Sequence, residues 1–166
     1  MADQIHSVLI LQFTILLILA NGSPVVAKRI FGERFSNPID GGLVLDDQRP
    51  LFGPSKTIRG LLASVVATAV GSVLIGPSLA IGALVALAAM AGDMLSSFLK
   101  RRFGLPASSR VTGLDQIPEA LLPVAACALF LPLSILDIVL AVAIFSVLEI
   151  TISPLLHSIR IRDEPY

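Results

Sequence analysis

Two acids and a lysine stand out in a chain that otherwise needs few charges. The segment GDMLSSFLKRR puts Asp93 seven residues before Lys100 on one apolar stretch. At ~1.5 Å per helical residue the acid lies about 10 Å deeper than the lysine. An ionisable side chain at that depth is costly and marks a functional position by default. At ~3.6 residues per turn, Asp93, Ser97 and Lys100 share a helix face, with Ser96 at its edge. The next segment, GLDQIPEALLP, carries Asp115 just before another helix, with Pro118 in its first turn and Glu119 one turn on. Asp115 alone reads as a helix cap. Asp93 and Asp115 together read as a Mg²⁺ site, because that ion takes one or two carboxylates plus phosphate oxygens. The plainer alternative for Asp93 is a structural ion pair with Lys100.

A second polar group sits at FGPSKTIRG, Phe52 to Gly60, immediately before an apolar run. A helix N-terminus offers unpaired N–H groups and partial positive charge. Ser55 or Thr57 can cap it, and Lys56 and Arg59 add full charges, so the spacing describes an anion site suited to phosphate. It is not a Walker A loop, which needs Gly directly before Lys; here Ser55 precedes Lys56. The competing reading makes Lys56 and Arg59 interfacial anchors.

These residues need elements to hold them. Of 166 residues, 55% are hydrophobic and 14% charged, and mean hydropathy is +0.88. That describes an all-α integral membrane protein folded as one domain over 1–166. Five spans are expected, at roughly 5–21, 58–76, 79–99, 118–133 and 135–157. The segment between Asn21 and Ser55 is too long for a simple connector, and its NPIDGG, LDDQRP and FGPS motifs read as ordered turns. All 12 Lys and Arg fall on one side of this parse: Lys28, Arg29, Arg34, Arg49, Lys56 and Arg59, then Lys100, Arg101, Arg102 and Arg110, then Arg160 and Arg162. The positive-inside rule makes that side cytoplasmic, with the N-terminus outside and the C-terminus inside. The first span begins MADQIH, with Asp3 and no Lys or Arg, which argues against a cleaved signal peptide.

Other polar positions carry less. Glu149 lies inside the last span, on a face with Ser146 and Ser153, and has no assigned role. His157 reads as an interfacial residue. Asp137 and Asp3 fall at the outer face, with little expected of either. Cys127, the one cysteine, reads as core packing. Ala89, Ala86 and Gly82 continue the Asp93 face with side chains small enough for close helix packing.

All the chemistry-bearing residues thus lie at one depth on one side. They suit phosphoryl or nucleotidyl transfer at a membrane surface, one substrate coming from the lipid and one from the cytosol. Through ANGSPVVAKRIFG, NPIDGG, LFGPSKTIRG, GDMLSSFLKRRFG and LDQIPE, the chain resembles the CDP-archaeol synthase family, small relatives of the CTP:phosphatidate cytidylyltransferases. The resemblance implies a CTP-dependent enzyme that joins CTP to a lipid phosphate, either an archaetidic acid-like isoprenoid ether lipid or phosphatidate, and releases pyrophosphate. It implies Mg²⁺ held by Asp93 and Asp115. Lys56, Arg59, Lys100, Arg101 and Arg102 would hold phosphates, with Ser55, Thr57 and Ser97 beside them, and Asn37, Pro38 and Asp40 would shape the cytoplasmic pocket. CTP, the lipid phosphate and membrane lipids are the implied partners, without nucleic acid. The chain departs from the pattern in places. Ile58 stands where many relatives have Trp, LPASSRVTG lacks a Pro-Gly, and Pro118 with Glu119 replaces an acid three residues after Asp115. The tail RIRDEPY only loosely matches the family's Lys-containing end.

Three rival readings follow from the same residues. A transport bundle would use Asp93 and Glu149 to line a path, but the outer half holds almost nothing polar. A non-catalytic scaffold leaves Asp93 unexplained. An enzyme moving an alcohol onto a CDP-lipid would need an acid-rich D-G-x-x-A-R motif, which is absent.

Overall fold

The computed structural model describes residues 5–106, 109 and 111–158, with side chains to 153. Five helices follow one another: α1 (Ser7–Phe31), α2 (Ile58–Ile75), α3 (Leu79–Arg102), α4 (Gln116–Cys127) and α5 (Ile135–Ser158). The described residues include no β-strand, only isolated bridges at Pro38–Thr57 and Val44–Pro50. Helix α1 packs against α2, α3 and α5, and α3 against α4. The core joins Phe13, Leu16 and Leu17 of α1 to Val85, Val124 and Phe145 of the other helices. Buried Cys127 belongs to it, as expected. Large apolar side chains instead point outward on most helices, Leu74, Leu87 and Ile135 among them, as a bilayer solvent requires.

Two elements differ from the sequence reading. Helix α1 does not stop near residue 21; it continues through Pro24 to Phe31. Proline removes one backbone donor and crowds the carbonyl four residues back, but the helix absorbs this and carries Lys28 and Arg29 in its last turn. There they complement the helix dipole. Helix α4 ends at Cys127 rather than 133, and Pro132 disfavours helical geometry at Leu131. Four helices are long and apolar enough to cross a membrane, and α4 is not among them.

The chain nonetheless changes ends between Asp115 and Asp137. Asp115 meets Lys100 at the foot of α3, whereas Asp137 at the start of α5 meets His6 at the start of α1. Asp137 corrects an expectation. It is fully buried and matters to the architecture. It accepts from the His6 backbone N–H at 2.9 Å and lies 2.8 Å from His6 Nδ1. It also accepts from the Ser134 N–H and hydroxyl, and Ser134 Oγ accepts back from the Asp137 N–H. This reciprocal cap closes the N-terminus of α5 and ties it to α1.

Small residues set the helix spacing. A Cβ on Gly82 would lie 2.6 Å from the Thr68 carbonyl of α2, so the small-residue face of α3 does serve close packing. Gly92 is tighter still: a Cβ there would lie 2.3 Å from the Pro118 carbonyl oxygen of α4.

Candidate active site

The entrance to α2 is built by the long loop before it. The Ile39 N–H donates to the Lys56 carbonyl and the Ile58 N–H to the Asn37 carbonyl, pinning NPID to the helix start. Asp40 accepts from the Gly42, Phe52 and Gly53 N–H groups. Burial pushes its carboxyl up, but these backbone donors outweigh it and hold the pKa below the usual carboxylate value. Thr57 is the N-cap of α2 and accepts from the Gly60 N–H. Asn37 and Asp40 therefore shape the entrance through the loop's backbone.

Lys56 reaches from this entrance into the bundle. Its Nζ meets both carboxylate oxygens of Asp93 at 2.5 Å, and the side chains are only 19% and 22% exposed. Burial alone would lower the lysine pKa. The Asp93 charge and hydrogen bond reverse that, and the net effect is a raised value, so Lys56 remains an ammonium. Asp93 does not pair with Lys100, as the plainer sequence reading held. Lys100 meets Asp115 at 2.6 Å instead. Asp115 is not a side-chain cap of α4 either; its carboxylate points back and accepts from the Val111 N–H. Each acid thus has its own lysine.

Glu119 completes the group. It is buried and lines the same cavity as Asp93. Gly92, next to Asp93, lets the Pro118–Glu119 backbone approach α3 closely. Ser96 assists by donating to the Leu114 carbonyl at 2.6 Å.

A cavity of about 430 Å³ opens over this group. Ser55, Lys56, Thr57, Arg59 and Asp93 line it, together with Lys28, Glu119 and Glu149. The structure thus brings the α2 entrance and Asp93 together. Asn37, Asp40, Ser97, Lys100, Arg101, Arg102 and Asp115 lie off its walls. Several of these have structural partners. Arg101 donates to the Pro106 carbonyl. Arg102 binds Asp47 and the Pro50 carbonyl and lies over the Phe98 ring. Lys100 donates to the Ser109 carbonyl as well as pairing with Asp115. Arg59 is in the cavity wall but also donates to the Gly32 and Arg34 carbonyls, closing the end of α1. Arg110, Arg160, Arg162 and Asp3 lie outside the described residues, as does the His157 side chain.

Lys28 and Glu119 are site residues that the motif reading did not select. Lys28 falls outside the expected first span of roughly 5–21, and α1 brings it to the cavity by running on to Phe31. Glu119 had a legible signal: it sits four residues after Asp115, one turn along the same segment.

No group of three or more His, Cys, Asp or Glu among the described residues is arranged to hold a metal by itself. The donors still suit Mg²⁺, which shares its shell with phosphate and water. Asp93 and Asp115 are both carboxylates with lysine partners, so a metal and phosphates could exchange partners with the two ion pairs while conserving charge.

Fold and cavity together define a membrane-embedded helix bundle with a buried acid–lysine site at one end. The family described as CarS-like, CDP-archaeol synthase, matches residues 7–166, and the chain belongs to that family. A CDP-archaeol synthase of Pyrobaculum arsenaticum is 31% identical over 89% of this chain and 91% of its own length. Those of Hyperthermus butylicus and Thermococcus onnurineus are 41% and 40% identical, each over 59% of this chain; the alignments span 59% and 61% of those proteins. A solved structure described as an intramembrane enzyme for archaeal membrane lipids biosynthesis superposes with a TM-score of 0.69. It is 34% identical and covers 82% of this chain and 90% of that one.

Proposed function

We propose that this chain is a CTP:lipid-phosphate cytidylyltransferase. It converts a membrane lipid phosphate, an isoprenoid ether lipid or phosphatidate, to a CDP-lipid with release of pyrophosphate. The observation that carries this reading is the Lys56–Asp93 pair in a cavity at the N-terminus of α2. Family membership supports the substrate class.

The chemistry asks little of a general base. A lipid phosphate oxygen is already nucleophilic. It forms a bond to the α-phosphorus of CTP as the bond from that phosphorus to the pyrophosphate oxygen breaks. Positioning and charge stabilisation carry most of the catalysis. The α2 N-terminus, Lys56, Arg59 and Lys28 hold phosphates. Ser55 and Thr57 add hydroxyls at the same entrance. Lys100, Arg101, Arg102 and Ser97 lie off the cavity walls, where Arg101 and Arg102 brace the loops and would assist only indirectly. Asp93 and Asp115 would hold Mg²⁺, which supplies neutralisation of phosphate charge, and Glu119 orients Asp93.

The chain crosses the membrane five times in this reading, with a short α4 completed by residues 128–134. The N-terminus is outside, and the site faces the cytoplasm. The clustering of basic residues around the α2 entrance supports this orientation. Cysteine labelling at residues 2 and 164 tests it; equal outside labelling at both would reject it. For the activity, purified protein is incubated with CTP, Mg²⁺ and a panel of lipid phosphates. CDP-lipid formation is the expected result, and none from any lipid phosphate would refute the reading.

A further inference from the structure

Helix α1 carries a glycine that packing does not require. Gly22 lies within α1, where glycine is unfavourable relative to alanine. The other helix-interior glycines among the described residues are Gly60, Gly71, Gly82 and Gly92, and a Cβ on any of them would approach another atom closely. A Cβ on Gly22 would meet nothing within 4 Å. The open space beside it is a groove of about 240 Å³ between α1 and α5, with Ile18, Gly22 and Val26 on one wall and Leu148 and Ile152 on the other. Most of its lining is apolar, and it adjoins the site cavity. Asn21, Val25 and Glu149 line both. A second apolar groove, between α4 and α5, shares no lining residue with that cavity.

We infer that the α1–α5 groove receives an apolar chain of the lipid phosphate, and that Gly22 keeps it open. This rests on the cytidylyltransferase reading. A lipid phosphate must bring its charged end to Lys56 while its chains stay out of water, so the site needs an apolar exit that meets the polar cavity. The α1–α5 groove has that continuity and lies along two helices apolar enough to be in the bilayer. A Cβ added at Gly22 would displace no protein atom, and a larger side chain there would obstruct the chain.

The test measures the KM for a long-chain lipid phosphate and for CTP in Gly22→Phe, Gly22→Ala and Ile152→Trp, using the full chain in mixed micelles. Gly22→Phe and Ile152→Trp are expected to raise the lipid KM at least ~10-fold, the scale on which apolar pockets discriminate. Their CTP KM should stay within about twofold, and the lipid effect should shrink for short-chain lipid phosphates. Gly22→Ala should give a smaller rise with a Tm no lower than wild type. An unchanged lipid KM in a folded Gly22→Phe or Ile152→Trp variant overturns the inference and leaves the groove to ordinary bilayer lipid. An equal rise in both KM values also overturns it. A wild-type protein that makes no CDP-lipid removes the functional reading itself, which separates the two failures.

Discussion

Lys56, at the entrance to α2, and Asp93, within α3, share a two-oxygen contact at 2.5 Å. The pair joins the loop-built entrance of α2 to an acid inside the bundle. It also explains how Asp93 is tolerated at its depth, since an unpaired charge there would be costly.

Lys56→Ala is expected to impair CTP use more than folding. Losing one oriented charge at a phosphoryl-transfer site costs on the order of 100-fold in kcat/KM. The pair is about one-fifth exposed, so leaving Asp93 without its partner should cost less than the roughly 3–5 kcal/mol of a fully buried pair. Kinetics with varied CTP and a thermal melt in detergent separate these effects. Unchanged CTP kinetics would return Lys56 to an anchoring role.

Gly92→Ala tests whether the α3–α4 approach positions Glu119. The added Cβ would meet backbone of Pro118 and Glu119, which cannot yield as a side chain tip can. Overpacking of this kind costs about 1–3 kcal/mol, and activity should fall with it. Gly71→Ala is the control: its Cβ meets only the Leu19 Cδ1 tip, so melting and activity should change little. Equal tolerance at both positions would show that α4 can shift without consequence.

The sequence revealed the entrance and the deep acid because both break an apolar pattern locally. Thr57 caps α2 as its type and position predict. Partners were less legible. Whether Asp93 meets Lys56 or Lys100 depends on how α2 and α3 pack, which helical periodicity within α3 cannot report. Helix α1 ran past Pro24 because tertiary packing overrode a local breaker, with Ala27 buried beyond it. Asp137 looked peripheral because a charge near a helix start is usually wet. Its burial depends on His6, 131 residues away in sequence.

Asp137→Ala should destabilise the bundle and spare the chemistry. The carboxylate is fully buried and caps α5 while holding α1. Removing it takes the cap from α5 and the shared acceptor from the half-buried Ser134 and His6 donors, and losing a cap alone costs about 0.5–2 kcal/mol. The Tm should fall by roughly 2–4 °C per kcal/mol. At permissive temperature the KM for CTP should be unchanged, because this cluster lies at the end opposite Lys56. A selective rise in that KM would contradict the placement.

Asp40 gives the entrance loop a defined acid sensitivity. Its folded pKa is depressed, so its stabilising effect is present above the unfolded value near ~3.9. That effect is lost as pH falls through the folded pKa. Asp40→Ala should therefore increase proteolysis of the 32–57 loop at neutral pH, and the difference from wild type should vanish in strong acid. A difference that persists there would mean the side chain acts through packing rather than charge.

The central claim is tested most directly by following both ends of CTP. With Mg²⁺ and a lipid phosphate, label at the α-phosphate should enter CDP-lipid and label at the γ-phosphate should leave as pyrophosphate, in equal amounts. Asp93→Asn and Asp115→Asn should each abolish both signals while the fold persists. The double variant should be little worse than either single one, since residues acting as a unit are non-additive. Release of γ-label as single phosphate without lipid labelling, or full turnover in both Asp variants, would contradict the account.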